Sequence, residues 1–340
     1  MSASVTPVVF EPIFKAKPWG GRELARLFDK PLPADLPIGE SWELADLPGN
    51  ESRVAHGPLA GKTVGQLVEM WGRDLLGDAE LIDGCFPLLI KFLDARERLS
   101  LQVHPHPRGD SSESEQAGVK HEAWYVIDAD PGAVLYLGLK PGVGPADVRA
   151  AASTAALAEL HELRPGEPGR CYYLPSGIPH ALGAGLVVAE VQTPSDVTYR
   201  LYDWERVGLD GKPRELHVEQ ALANIRHDIP EREIVRPRAR TGDPQQTIER
   251  LVTCERFLID RRWFAKERAP ELPVSQMAVW IVLSGSGAFV RGHDRCGFNP
   301  GDVALIPADS TDIRVELATA CELLEVKVPG PGSSSGGTAR

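Results

Sequence analysis

Short apolar runs, cut apart by glycine, proline and charged turns, recur along almost the whole chain and confine it to a mainly β architecture. Residues 88–92, 99–103, 123–127, 133–137, 171–174 and 186–192 are such runs. Several are apolar on both faces, as strands are inside a sandwich or closed barrel with covering elements. A second set follows at 257–260, 277–283, 287–291, 302–307 and 321–328. Three stretches read instead as helical inserts. Residues 63–76 carry a stripe of Val64, Leu67, Val68, Trp71 and Leu75. Residues 145–160 open with proline and aspartate and become alanine-rich. Residues 216–225 present Val218, Ala221, Leu222 and Ile225. These apolar stripes are assigned to packing rather than to cofactor contacts.

At 340 residues and 42% hydrophobic content the chain can bury a large core, in two or three structural units. We expect a catalytic unit over 1–229, a charged, proline-bearing connector over 230–246 and a second β unit over 247–329. The glycine- and serine-rich tail, 330–340, is expected to be disordered. The polar loop 107–118 follows a candidate site strand and is expected either to edge the cleft or to be plain solvated loop. Acidic residues outnumber basic ones 48 to 37, for a net charge of −11, and no basic run tracks a phosphate backbone, so no nucleic-acid partner is expected. A small phosphorylated molecule stays compatible, because it needs only a few local cations. Cys85, Cys171, Cys254, Cys296 and Cys321 are odd in number and scattered, forming neither a zinc ribbon nor a disulfide framework. With no signal-peptide pattern at residues 1–9 and no membrane-length apolar segment, a cytoplasmic protein without membrane partners is expected.

The chemistry-bearing segments are 99–106, 120–125 and 175–181. Strand residues two apart share a face, so Gln102 and His104 can project into one interior. Glu122 leads a second apolar strand and His180 follows a Pro/Gly turn. Two imidazoles and a carboxylate are a common catalytic zinc set, with an amide oxygen as a weaker fourth ligand. Any one of these residues could equally be an ordinary polar side chain, and the gap from His104 to Glu122 matches no compact zinc motif. Lys120 falls on the same face as Glu122, and Lys91 lies inside an apolar strand where it needs a partner or a water-filled cleft.

Several longer stretches carry a resemblance. Pro12-Ile13-Phe14-Lys15, Pro18-Trp19-Gly20-Gly21, Gly39-Glu40-Ser41-Trp42-Glu43, residues 86–95, Gln102-Val103-His104-Pro105 and residues 191–204 stand in the order found in type I mannose-6-phosphate isomerases of the cupin superfamily. The resemblance implies two cupin-type β-barrel or jelly-roll units with helical inserts. It implies one Zn2+ per chain on Gln102, His104, Glu122 and His180. It implies a phosphosugar pocket containing Lys91, Ser100, Gln102 and Lys120, with Glu190 and Arg200 at the positions of a pocket glutamate and arginine. Mannose 6-phosphate and fructose 6-phosphate would interconvert by proton transfer through a cis-enediol. Arg200 would stabilise the developing charge and Glu190 would be the base, a role that Lys120 or a histidine of the ligand set could share. A Glu190–Arg200 salt bridge and an Asp196–Arg200 pair both stay open. The turn at 301–307 resembles the cupin glycine-to-proline turn and echoes 175–179, but 309–314 offers no histidine, and His293 is the only one in that half. The second unit is therefore expected to be structural and metal-free. The competing function is a non-catalytic, metal- and sugar-binding regulatory cupin. An iron oxygenase would more naturally carry a histidine where Gln102 stands.

Overall fold

The computed structural model describes residues 5–107, 118–227, 229–234 and 239–330. Most of the loop expected at 107–118, all of the expected tail but residue 330, and part of the connector lie outside the described residues. The chain divides into two compact units that interleave along the sequence. One comprises 14–42 and 89–236; the other comprises 1–13, 43–88 and 237–340. Residues 1–13 and 43–88, read from sequence as part of the catalytic unit, thus group with the C-terminal β region. The stretch read as a connector contains a short helix, Glu231–Ile234, and a strand, Ala239–Asp243, paired antiparallel with Gln246–Thr253.

The first unit is a β sandwich. A six-stranded sheet runs in the order 171–174, 122–129, 186–192, 89–95, 13–21, 38–44, and a five-stranded sheet in the order 161–165, 134–139, 180–182, 101–103, 199–202. Leu93, Trp124, Val126 and Val188 from one sheet pack with Leu135, Leu137 and Leu182 from the other, which explains why these strands are apolar where they face inward. The paired glycines of the 18–21 motif are a packing requirement. A Cβ on Gly20 would lie 2.4 Å from the Gly39 nitrogen, and one on Gly21 would lie 2.2 Å from Asp94 Oδ1. Asp94 itself accepts the Glu23 backbone N–H at 2.6 Å, where the Glu23–Phe28 helix begins.

In the second unit a seven-stranded sheet packs against the three-stranded sheet 294–298, 287–291, 314–317. Phe264, Trp280 and Leu323 meet Phe289, Phe298 and Val315 in its core. The predicted 63–76 helix starts at Val64 behind a reciprocal cap, in which Thr63 accepts from Gln66 N–H and the Gln66 side chain accepts from Thr63 N–H. Gly72, at φ 48°, divides it into Val64–Trp71 and Arg73–Leu76. The predicted 145–160 helix, in the first unit, is also two pieces, Pro145–Ala151 and Ala156–Glu159, because Ser153 turns left-handed at φ 64°. Among the described residues no helix is long and apolar enough to cross a membrane.

Candidate metal centre and pocket

Strand register builds the centre. Gln102 stands directly opposite His180 on one side and Arg200 on the other, a row across three strands of the five-stranded sheet. On the six-stranded sheet Glu190 stands between Trp124 and Lys91, while Glu122 pairs with Gln192.

The ligand atoms of His104, Glu122 and His180 lie within 4.8 Å of one another, all three residues buried. Each imidazole is fixed through Nδ1: His104 donates to the Val197 carbonyl at 2.9 Å and His180 to the Ile178 carbonyl at 2.8 Å. That tautomer leaves both Nε2 lone pairs facing the centre, the orientation that outer hydrogen bonds give to metal-binding histidines. Burial drives both imidazoles toward the neutral form, His180 down to about 3. Burial alone would raise Glu122, but His104, Lys120 and His180 outweigh it and hold the carboxylate well below its usual range. Glu122 Oε2 is buried without a hydrogen-bond partner and stands 3.4 Å from His180 Nε2. Lys120 makes an ion pair with Glu122 and donates to His104 Nε2 at 3.2 Å, so these lone pairs already converge on a positive charge. Gln102 stands beside the cluster, its amide nitrogen 3.4 Å from His180 Nε2 and its amide oxygen accepting from Ser100 Oγ at 3.1 Å, so a swing of the amide about its last bond would turn the oxygen to the centre. Two neutral imidazoles, an ionised carboxylate with an orphaned oxygen and an adjacent amide fit a divalent metal ion.

A pocket opens beside this cluster, lined by Lys91, Ser100, Gln102, Lys120, Glu190 and Arg200, which are all the non-histidine candidates expected from sequence apart from Glu122. Lys91 satisfies the demand that its apolar strand made. Its ammonium lies 3.7 Å from Glu190, 3.5 Å from Asp196 and 4.6 Å from the centre of the Trp42 ring. Glu190 also accepts from Trp124 Nε1 at 3.2 Å. Burial, then the charge of Glu122, pushes Glu190 up to about 8 against the pull of Lys91. Neither arginine pairing left open by the sequence forms: Glu190 and Asp196 both face Lys91. Among the described residues the Arg200 guanidinium makes no hydrogen bond or ion pair, and its Nε is buried and unpartnered.

Several pocket residues were not singled out as site candidates from sequence. Glu40 accepts from Trp42 Nε1 at 2.7 Å and pairs with Lys17 at 2.9 Å. Burial opposes its ionisation, but Lys91 and Lys17 hold it down to about 2. The Gly-Glu-Ser-Trp-Glu motif was the available signal for Glu40 and Trp42. Thr198 and Arg214 also line the pocket, and nothing local in sequence marked them.

With this geometry in view, comparison with known proteins is direct. The family model of the phosphomannose isomerase type I catalytic domain matches residues 8–130. The mannose-6-phosphate isomerase ManA of Bacillus subtilis is 33% identical over 322 residues, spanning 93% of this chain and 97% of its own. A mannose-6-phosphate isomerase of Streptococcus mutans is 30% identical over 303 residues, spanning 88% and 92%. The crystal structure of the mannose 6-phosphate isomerase from Bacillus subtilis superposes with a TM-score of 0.85 at 31% identity, covering 95% of this chain and 99% of that one.

Proposed function

The chain belongs to the type I mannose-6-phosphate isomerase family, and from that premise we propose how its own residues interconvert mannose 6-phosphate and fructose 6-phosphate. The observation that carries the reading is the convergence of His104 Nε2, His180 Nε2 and the Glu122 carboxylate, each imidazole locked by a backbone carbonyl. We assign the site to Zn2+, on a donor set of two nitrogens, a carboxylate and the Gln102 amide oxygen. A zinc ion bound there would supply Lewis-acid polarisation of the reacting sugar oxygens.

The shift moves one proton between C2 and C1 and passes through a cis-enediol. Glu190, buried on the pocket wall with its second oxygen toward Lys91, takes the proton from one carbon and returns it to the other. Lys120, beside the ligand cluster, gives an ammonium proton to the carbonyl oxygen and takes back the proton that leaves the neighbouring hydroxyl, so that it ends the turnover as it began. Arg200, permanently charged and unpartnered, stabilises the negative charge of the enediolate. Ser100 and Lys91 hold hydroxyls, and the Trp19, Leu93 and Leu99 surfaces keep water from the reacting carbons. The five cysteines are free thiols, which suits the cytoplasmic setting we propose.

The test is a coupled assay with mannose 6-phosphate on purified protein, before and after chelation and after adding zinc back, with Glu190→Gln alongside. Turnover that disappears on chelation, returns with zinc, and falls about 10²-fold or more in Glu190→Gln supports the mechanism. Tight, metal-dependent sugar binding without turnover would instead support the regulatory cupin.

A further inference from the structure

We propose that the outer face of the seven-stranded sheet carries a second binding site, for a neutral pyranoside, with Trp263 as the surface on which the sugar ring lies. The site shares no residue with the metal centre or its pocket, and the proposal does not rest on the isomerase reading. Strand register lays out its floor in two rows. Arg240 stands opposite Glu249, and Glu249 opposite Arg261; two residues along, Gly242 stands opposite Thr247, Thr247 opposite Trp263 and Trp263 opposite Glu322. Residues two apart on a strand share a face, so the rows lie side by side. Arg262 and Phe264, which alternate with Arg261 and Trp263, are the buried ones. A cavity of about 360 Å³ lies over the rows, lined by their side chains and by Pro244 of the turn between 239–243 and 246–253. That volume falls in the range of about 300–1,000 Å³ typical of small-molecule sites.

The cavity holds donors that the protein itself does not use. Trp42, Trp124, Trp204 and Trp280 each donate the indole N–H to an oxygen of the chain. Trp263, half-buried, makes no hydrogen bond and no ring contact among the described residues. Arg240 has no ion pair and the Thr247 hydroxyl no hydrogen bond, again among the described residues. Arg261 is braced instead: its Nε donates to Glu322 at 2.8 Å and its Nη1 lies 3.8 Å from Glu249. Three of the four charged groups are thus held in place before a ligand arrives, which lowers the entropy lost on binding.

Charge decides the class of occupant. The rows hold two guanidiniums and two carboxylates, so the cavity carries no net charge. A phosphate or carboxylate would face Glu249 and Glu322, and a purely apolar ligand would strip water from four charged groups without replacing its hydrogen bonds. A neutral polyol meets neither penalty. A pyranose ring has an apolar face of C–H bonds that lies flat on an indole, and a rim of neighbouring hydroxyls that planar carboxylates and guanidiniums engage two at a time. Trp263 between Thr247 and Glu322, with Arg261 and Glu249 in the next row, offers both surfaces together.

The experiment titrates methyl α-mannopyranoside, whose locked ring and missing phosphate exclude turnover, into the metal-loaded, full-length protein and follows binding by calorimetry. Binding at millimolar concentration should persist with fructose 6-phosphate in excess. Trp263→Ala should weaken it about tenfold or more, and Arg240→Ala severalfold, while Trp263→Phe, which keeps a ring face, should stay within about threefold of the wild type. The proposal is overturned if the wild type binds nothing at tens of millimolar, if excess fructose 6-phosphate abolishes the binding, or if Trp263→Ala binds as the wild type does. Should Trp263→Ala fail to fold, Arg240→Ala, a change at an exposed side chain, decides: wild-type affinity in that variant overturns the proposal as well.

Discussion

Replacing Arg262 by methionine should destabilise the second unit without touching chemistry, and the size of the effect follows from its surroundings. Arg262 forms a buried ion pair with Glu325, and Trp280 Nε1 donates to the same carboxylate at 3.0 Å. Burial would raise Glu325, but Arg262 and Lys327 together hold it ionised. Removing one member of a buried pair leaves the other charge stranded, at a cost of about 3–5 kcal/mol. The lower end applies here, because Lys327, itself 21% exposed, still stands 2.5 Å from the Glu325 carboxylate. For a unit of this size about 3 kcal/mol lowers the melting temperature by roughly 6–12 °C. Calorimetry or near-ultraviolet circular dichroism should show that fall, with room-temperature kcat and KM unchanged. The double variant Arg262→Met/Glu325→Gln should recover most of the loss, since a neutral amide oxygen still accepts from Trp280 and Lys327, 21% exposed, can turn its ammonium to water. A single variant within about 1 kcal/mol of wild type would refute the reasoning, as would a double variant no better than the single.

Three further outcomes are expected. Arg200→Lys should lower kcat by on the order of 10²-fold while metal content, measured on the same sample, stays at the wild-type level; a raised KM with intact kcat would make Arg200 only an anchor. His161, buried and held by the Leu157 carbonyl, is carried down to about 4 by burial, so the unfolded chain binds its proton first on acidification. Stability should therefore fall as pH drops from about 6.5 to about 4, by roughly 3 kcal/mol in total, and chemical denaturation of His161→Phe across that window should show a flatter profile. Gly21→Ala drives a methyl group into Asp94 and should cost about 1–3 kcal/mol in a denaturant melt; an unchanged midpoint would contradict the close approach.

What the sequence made legible was local or carried by long motifs. Strand parity suggested a shared face for Gln102 and His104, although the strand Leu101–Val103 ends one residue before His104, and the helices at 64–71 and 218–224 followed from their apolar stripes. The convergence of Glu122 and His180 on that face did not follow from spacing, because it depends on register between strands distant in sequence; only the family resemblance supplied it. His180 itself sits on a strand of three residues, His180–Leu182, too short to show alternation. The strands Ile13–Gly21 and Ile38–Leu44 were visible as motifs but not as strands, since their glycines serve the close approach of neighbouring chains rather than strand propensity. Arg214 lies in a polar Gly-Lys-Pro-Arg-Glu stretch and gains its place only because Asp203, eleven residues earlier, grips it.

The two units share a device that the sequence did not reveal. Trp124 and Glu190 stand opposite each other on adjacent strands, joined by an indole N–H to carboxylate bond and backed by Lys91; Trp280 and Glu325 repeat the arrangement with Arg262 as the cation. In the second unit this trio sits without the His104–Glu122–His180 constellation, so a tryptophan-tethered, cation-paired carboxylate is a way of holding a charge inside such a sandwich and does not by itself make a catalyst. What distinguishes Glu190 is its neighbourhood. It opens onto a pocket shared with Lys120, Gln102 and an unpartnered Arg200, whereas Glu325 is closed off by Arg262 and Lys327. The catalytic reading of Glu190 therefore depends on that pocket, and the stabilising reading of Arg262 on the two cations that close over a buried Glu325.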